Sequence, residues 1–234
     1  MQDLKAERQF YQDLFTEKPD NEHITFGYDE LYDFAFPEPP QGLLLDLGCG
    51  TGAHTIRLAR RGYQVVGTEL TLAGAQSARK RLADEGFNPM VVVGDAEHTP
   101  FRDGAFHTVW AALLLHHFPV LDVLPREIRR ITRKRVVLFE PNSGNFLTWF
   151  AFNIVNPIWG LKTTTKNQRS LNPGKLQRLF EGLGFQRFSL RFADRGWNDR
   201  TGSLLRRTYR GITSVLPEKF RANKFLLTGE LPAK

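Results

Sequence analysis

Leu43-Leu44-Leu45-Asp46-Leu47-Gly48-Cys49-Gly50-Thr51-Gly52 carries the decisive pattern of this 234-residue chain: five residues of strand character, then three glycines in five positions. The helical stretch Ala53–Arg61 follows directly. A glycine-rich turn between a strand and a helix lets backbone N–H groups approach a ligand that a Cβ would push away. Working outward, Tyr63–Thr68 reads as a second strand and Thr71–Glu85 as a helix stopped by Gly86. Met90–Val93, Phe106–Leu115 and Arg135–Glu140 read as further strands, with a helix over Asp122–Thr132. Pro173–Leu183 forms a helix closed by Gly184, Phe185–Phe192 an alternating strand, Leu204–Val215 a basic helix and Lys224–Leu231 a last strand. Short strands alternating with helices predict an α/β fold: a seven-stranded, mostly parallel sheet with helices on both faces.

Before the first strand, residues 1–17 show Leu4, Phe10, Tyr11, Leu14 and Phe15 near helical spacing. A turn-rich stretch ending in Phe36-Pro37-Glu38-Pro39-Pro40 separates that helix from the rest. The expected organisation is one domain, with a leading segment 1–40 and a ligand-binding core 41–140. Insertions at 141–183 and 194–222 complete it. Phe146–Trp159 is apolar and aromatic, interrupted by Asn153, Asn156 and Pro157.

The glycine spacing is G-x-G-x-G, not the G-x-G-x-x-G of a dinucleotide site, and Asp46 precedes the first glycine by two residues. A carboxylate there disfavours pyrophosphate and attracts an ammonium. Glu69 closes the second strand, where a carboxylate accepts hydrogen bonds from ribose hydroxyls and repels a 2′-phosphate. Asp95, in Gly94-Asp95-Ala96-Glu97, follows the third strand and suits an exocyclic amino group. Three carboxylates at the C-terminal ends of neighbouring strands describe a site for a nucleoside carrying a cationic amino acid. The bland alternative is that the glycines make a tight turn and the acids cap helices.

Leu45-Asp46-Leu47-Gly48-Cys49-Gly50-Thr51-Gly52, Val66-Gly67-Thr68-Glu69 and Gly94-Asp95-Ala96-Glu97-His98-Thr99-Pro100-Phe101 resemble the class I S-adenosylmethionine-dependent methyltransferases. The resemblance covers roughly residues 43–140 and is closest to the small-molecule group of ubiquinone and menaquinone biosynthesis. It implies a Rossmann-like sheet, S-adenosylmethionine as methyl donor and S-adenosylhomocysteine as product. It also implies a cofactor set of Asp46, Gly48, Cys49, Gly50, Gly52, Glu69, Leu70, Asp95 and Ala96. Two positions depart from the pattern: His107 replaces the usual Asp, and Thr132-Arg133-Lys134-Arg135 replaces a Lys-Pro-Gly-Gly turn.

Methyl transfer requires alignment, exclusion of water, and a base only when the nucleophile carries a proton. In Ala111-Ala112-Leu113-Leu114-Leu115-His116-His117-Phe118, the residues just after the fourth strand face the methyl group in this fold. His116 and His117 are therefore candidate catalytic or acceptor-contact residues, set against the alternative that they bond backbone at the strand end. Glu140, closing the fifth strand, is a third candidate, and His98 belongs to a solvated loop. There is no Asp/Asn/Ser-Pro-Pro-aromatic motif after the fourth strand, and Cys49 is committed to the glycine loop. Both facts argue against methylation of nucleic-acid bases. No metal-ligand spacing stands out, so no metal is expected.

The net charge of +7 conceals an asymmetry. Residues 1–125 hold ten Lys and Arg against eighteen Asp and Glu, and residues 126–234 hold 22 against seven. Together with the aromatic stretch, this favours a small, hydrophobic or lipid-linked acceptor and an anionic membrane surface as partner. RNA or protein methylation through the basic half, and a non-catalytic binding protein on the same fold, remain the alternatives; nucleic acid is the less favoured partner. One cysteine, no signal-like segment and no spanning apolar run imply a cytoplasmic protein, peripheral at most to the cytosolic membrane face.

Overall fold

A computed structural model describes residues 4–18, 29–38, 41–88, 90–159, 168–193 and 215–232. Its strands are β1 (Leu43–Leu47), β2 (Gln64–Glu69), β3 (Val91–Val93), β4 (Phe106–Ala112), β5 (Thr132–Pro141), β6 (Gln186–Ala193) and β7 (Lys224–Glu230). They form one sheet in the order β3-β2-β1-β4-β5-β7-β6. β1 to β5 run parallel, and β7 lies antiparallel to both β5 and β6. The order reverses between β1 and β4, so their C-terminal ends open a crevice at that point.

Alternation along each strand supplies two cores. Leu45, Leu47, Val109, Ala111, Val136 and Leu138 face one side, against α5 (Val123–Ile131) and α8 (Pro173–Gly182). Leu44, Trp110, Ala112, Val137 and Phe139 face the other, against α2 (Asp29–Ala35) and α3 (Ala53–Arg60). Period-two side chains on a doubly covered sheet leave almost no polar position in the centre of the sheet, which is why residues 109–112 of β4 and 136–139 of β5 read as continuous apolar runs. Farther along, Ala75, Ala78 and Leu82 of α4 (Leu72–Asp84) close over Cys49, Ile56 and Val91. The leading helix α1 (Leu4–Glu17) lies against α4.

Several elements differ from the sequence expectation. The stretch before Phe36 contains α2, whose seven residues bury Leu31, Tyr32 and Ala35 on the sheet. That is too short a run for periodicity to reveal. β4 ends at Ala112 rather than Leu115, because Leu113 turns into the left-handed region at φ 53°. Thr132–Arg135 is strand, since β5 begins directly after α5. The aromatic segment is not broken at its asparagines: α6 (Phe146–Phe150), a π-helical turn (Ala151–Val155) and α7 (Asn156–Trp159) follow without a gap. Widening the helix by one residue per turn absorbs Asn153, which donates to Trp149 O and Ser170 Oγ. The expected basic helix Leu204–Val215 lies almost wholly outside the described residues, as does most of the 194–222 insertion. Among the described residues, no helix is long and apolar enough to cross a membrane.

Candidate cofactor and acceptor sites

The glycine loop sits at the crevice. Gly48 and Gly52 hold φ of 73° and 84°, a region that disfavours any side chain. A Cβ on Gly48 would approach Leu114 Cδ1 to 2.8 Å, and one on Gly52 would meet Ala78 Cα at 3.0 Å. Gly52 is the N-cap of α3, so the helix begins directly at the loop.

The three carboxylates take different places around it. Asp46 is 1% exposed and accepts the Thr55 hydroxyl at 2.6 Å, tying β1 to the first turn of α3. Burial raises its pKa to about 7, against the lowering effect of the Thr55 bond. Glu69 accepts the Gly50 N–H on Oε2 at 3.0 Å, and the Thr71 N–H and hydroxyl on Oε1 at 3.0 and 2.8 Å. One side chain thereby fixes both the glycine loop and the N-cap of α4. Its pKa is raised by burial and held down by those same bonds. Asp95 is half-buried, and its Oδ1 accepts the Glu97 N–H at 2.9 Å. Leu70 and Ala96 flank the crevice beyond β2 and β3, and buried Cys49 packs beneath α4, with its thiol pKa pushed up by burial.

A methyltransferase-domain family model matches residues 45–139. Over 221 residues the chain is 30% identical to the demethylmenaquinone methyltransferase of Beutenbergia cavernae, across 87% of this chain and 84% of that protein. The chain belongs to the S-adenosylmethionine-dependent methyltransferases. It also shares 36% identity over 93 residues with methyltransferase GfsG of Streptomyces halstedii, covering 38% of this chain but only 34% of that relative's length. The magnesium protoporphyrin IX methyltransferase of Synechocystis, solved with bound SAH, superposes with a TM-score of 0.67 at 13% identity, over 98% of this chain and 100% of that one. At that identity the likeness speaks for the fold.

The methyltransferase cofactor fits the crevice on chemical grounds. A carboxylate presents about four lone-pair directions. Glu69 uses three for protein donors, which leaves acceptor capacity for a ribose hydroxyl while its charge rejects a 2′-phosphate. The three glycines of the loop meanwhile present no Cβ to a ligand.

At the C-terminal ends of β4 and β5 the structure joins residues that the sequence could only name separately. Leu113 swings the chain from β4 into the turn Leu115–His117, and Glu140 caps that turn. Glu140 Oε1 accepts the Leu114 and Leu115 N–H groups at 3.0 and 2.7 Å, and its Oε2 lies 2.8 Å from His116 Nδ1. Burial pushes His116 down to about 3 and Glu140 up to about 7. A neutral imidazole donating Nδ1–H to a triply bonded carboxylate satisfies every donor, and leaves the lone pair on Nε2. The Phe152 ring stands edge-on to His116 at 5.8 Å.

His117 takes a different company: Glu7 Oε1 at 2.8 Å, Gln168 Nε2 at 3.1 Å and the Tyr11 hydroxyl at 3.5 Å, all around Nδ1. Sequence reasoning missed Glu7 and Gln168 and placed Tyr11 only as an apolar helix residue. The one signal available was the spacing of Glu7, Tyr11 and Phe15, a single stripe of α1 that carries a buried acid. His98 is exposed, as expected, while His54 is buried and bonded to the Tyr32 hydroxyl.

Proposed function

We propose that the chain methylates a small, hydrophobic or lipid-linked acceptor at the end of β4. The observation that carries this reading is the buried His116–Glu140 pair lying under the aromatic helix that begins at Phe146. Bound in the crevice, S-adenosylmethionine supplies a sulfonium-activated methyl group. His116 Nε2 is then the group that accepts a proton from an acidic hydroxyl, and Glu140 fixes its tautomer. The Phe152 ring against His116 and the carboxylates of Glu140 and Glu7 nearby favour an uncharged aromatic or enolic acceptor over a phosphate ester. The demethylmenaquinone methyltransferase relative supports the same acceptor class.

The first test is calorimetric titration with S-adenosylmethionine and S-adenosylhomocysteine, alongside Gly50→Arg. Micromolar binding, abolished in the variant, is expected. Transfer of labelled methyl to hydrophobic phenols and quinols, lost in His116→Ala, completes the reading. Absence of transfer to any apolar acceptor, combined with tight and salt-sensitive RNA binding, would instead assign the basic half to RNA.

The membrane partner rests on a specific observation. Phe146, Phe150, Ile158 and Phe220 are exposed, and Asn145 Nδ2 bonds to Phe220 O, so the start of the aromatic helix adjoins the Lys219–Arg221 segment. Co-sedimentation with vesicles containing anionic lipid, but not with neutral ones, is the expected outcome. Equal absence from both pellets would remove the membrane from this account.

A further inference from the structure

Helix α1 is fastened over the cofactor crevice and reaches the acceptor side at the same time. Gln12 Oε1 accepts the Ala73 N–H at 3.1 Å, which anchors α1 to the first turn of α4. Phe15 covers the loop: its ring lies 3.6 Å from where a Gly50 Cβ would stand, and 2.9 Å from the corresponding point on Gly74. One turn earlier, the Tyr11 ring meets the His117 ring edge-on at 5.3 Å. One turn earlier still, Glu7 is 4% exposed and holds His117 Nδ1.

The donors and acceptors around His117 Nδ1 conflict. Glu7 offers a carboxylate, which accepts only, so Nδ1 must carry the proton. Gln168 offers an amide N–H₂, which donates only, and it also donates to the Tyr11 hydroxyl at 2.8 Å. Glu7 and Gln168 therefore demand opposite tautomers of one ring, and the carboxylate wins because a charge-assisted bond is the stronger.

We propose that Glu7 is a positioning residue for His117: seated α1 holds this imidazole in the Nδ1–H tautomer, keeps the lone pair on Nε2, and makes the leading helix part of the acceptor site. Without Glu7, Gln168 donates to Nδ1 and the lone pair turns away from Nε2. The inference rests on the methyltransferase reading for its consequence, though not for its geometry. The titratable and charged groups facing His117 are Glu7 and Tyr11 from α1, His116 beside it, Glu140 from β5 and Glu69 from β2. Burial and His116 lower the His117 pKa, and Glu7 opposes them through both its bond and its charge.

The test compares the parent with Glu7→Leu, which removes the acceptor, and Glu7→Gln, which keeps a carbonyl in its place. Imidazole nitrogen shifts of His117, read by NMR with S-adenosylhomocysteine present, should report Nδ1–H in the parent. They should report Nε2–H in Glu7→Leu and Nδ1–H again in Glu7→Gln. In turnover, Glu7→Leu should lose about tenfold or more in kcat, with S-adenosylhomocysteine affinity within about threefold, and Glu7→Gln should recover most of the rate. Glu7→Gln, lacking the charge, should also shift the acidic limb of the pH profile to lower pH. An unchanged tautomer in Glu7→Leu, with the protein folded and binding S-adenosylhomocysteine, overturns the proposal. A tautomer switch in a protein that methylates nothing would leave the Glu7 assignment standing and sink the acceptor reading.

Discussion

Glu69 concentrates at one residue what the cofactor crevice needs. Its two oxygens hold the Gly50 amide and both donors of Thr71, so loop and helix are positioned before any ligand arrives. Glu69→Gln presents one oxygen and one N–H₂ group to donors that all require acceptors. Either Gly50 or Thr71 then faces a donor, and the ribose loses its charged acceptor as well. S-adenosylhomocysteine affinity should fall about 10- to 100-fold, consistent with about 1.5–3 kcal/mol for a hydrogen bond to a charged group. Calorimetry beside far-UV circular dichroism checks this; wild-type affinity in Glu69→Gln would exclude the carboxylate from ribose recognition.

Among the elements, the aromatic helix that begins at Phe146 hangs on two asparagines. Asn142 is fully buried and donates to Lys219 O and Ala222 O, both at 2.8 Å, while accepting the Gly144 N–H at 2.9 Å. Asn145 caps α6 through the Thr148 N–H and donates to Phe220 O and Arg221 O. Asn145→Ala removes the helix cap and leaves those carbonyls short of a donor. It should cost about 1–2 kcal/mol in urea denaturation, and more on this helix than on the sheet. Such stitching was invisible in the sequence, since it joins residues more than 70 positions apart. The strands and the glycine loop were legible, because apolar runs and glycine spacing are local signals that the sheet merely assembles. Glu140 was legible as a strand-end acid, whereas its bond to His116 was not. The π-helical turn escaped detection because Asn153 and Asn156 read as helix breakers until Ser170 supplied a partner.

At the scale of the whole molecule, four buried titratable groups with large shifts contribute opposing terms to how stability follows pH. Asp46 and Glu140 are raised to about 7 in the fold from ordinary values of 3.8 and 4.5, while His54 and His116 are lowered to about 3 from 6.5. As pH falls below 7, the folded state takes up protons on the two carboxylates that the unfolded chain does not yet bind, which favours folding. Below 6.5 the unfolded chain takes up protons on the two histidines that the fold refuses, which opposes it. Between about pH 6.5 and 4.5 these two pairs of protons cancel, so the urea midpoint should stay nearly level. Below about pH 4 the unfolded carboxylates are protonated too, the histidines act alone, and the midpoint should drop steeply. Glu140→Gln removes one of the two carboxylates from this balance. Its unfolding free energy should already decline between pH 6.5 and 5, by about 2 kcal/mol over that interval at about 1.4 kcal/mol per pH unit. Parallel curves for parent and Glu140→Gln across that interval would mean that Glu140 is ionised in the fold throughout. Only that ionised carboxylate leaves the lone pair on His116 Nε2, because a protonated Glu140 would donate to Nδ1 instead.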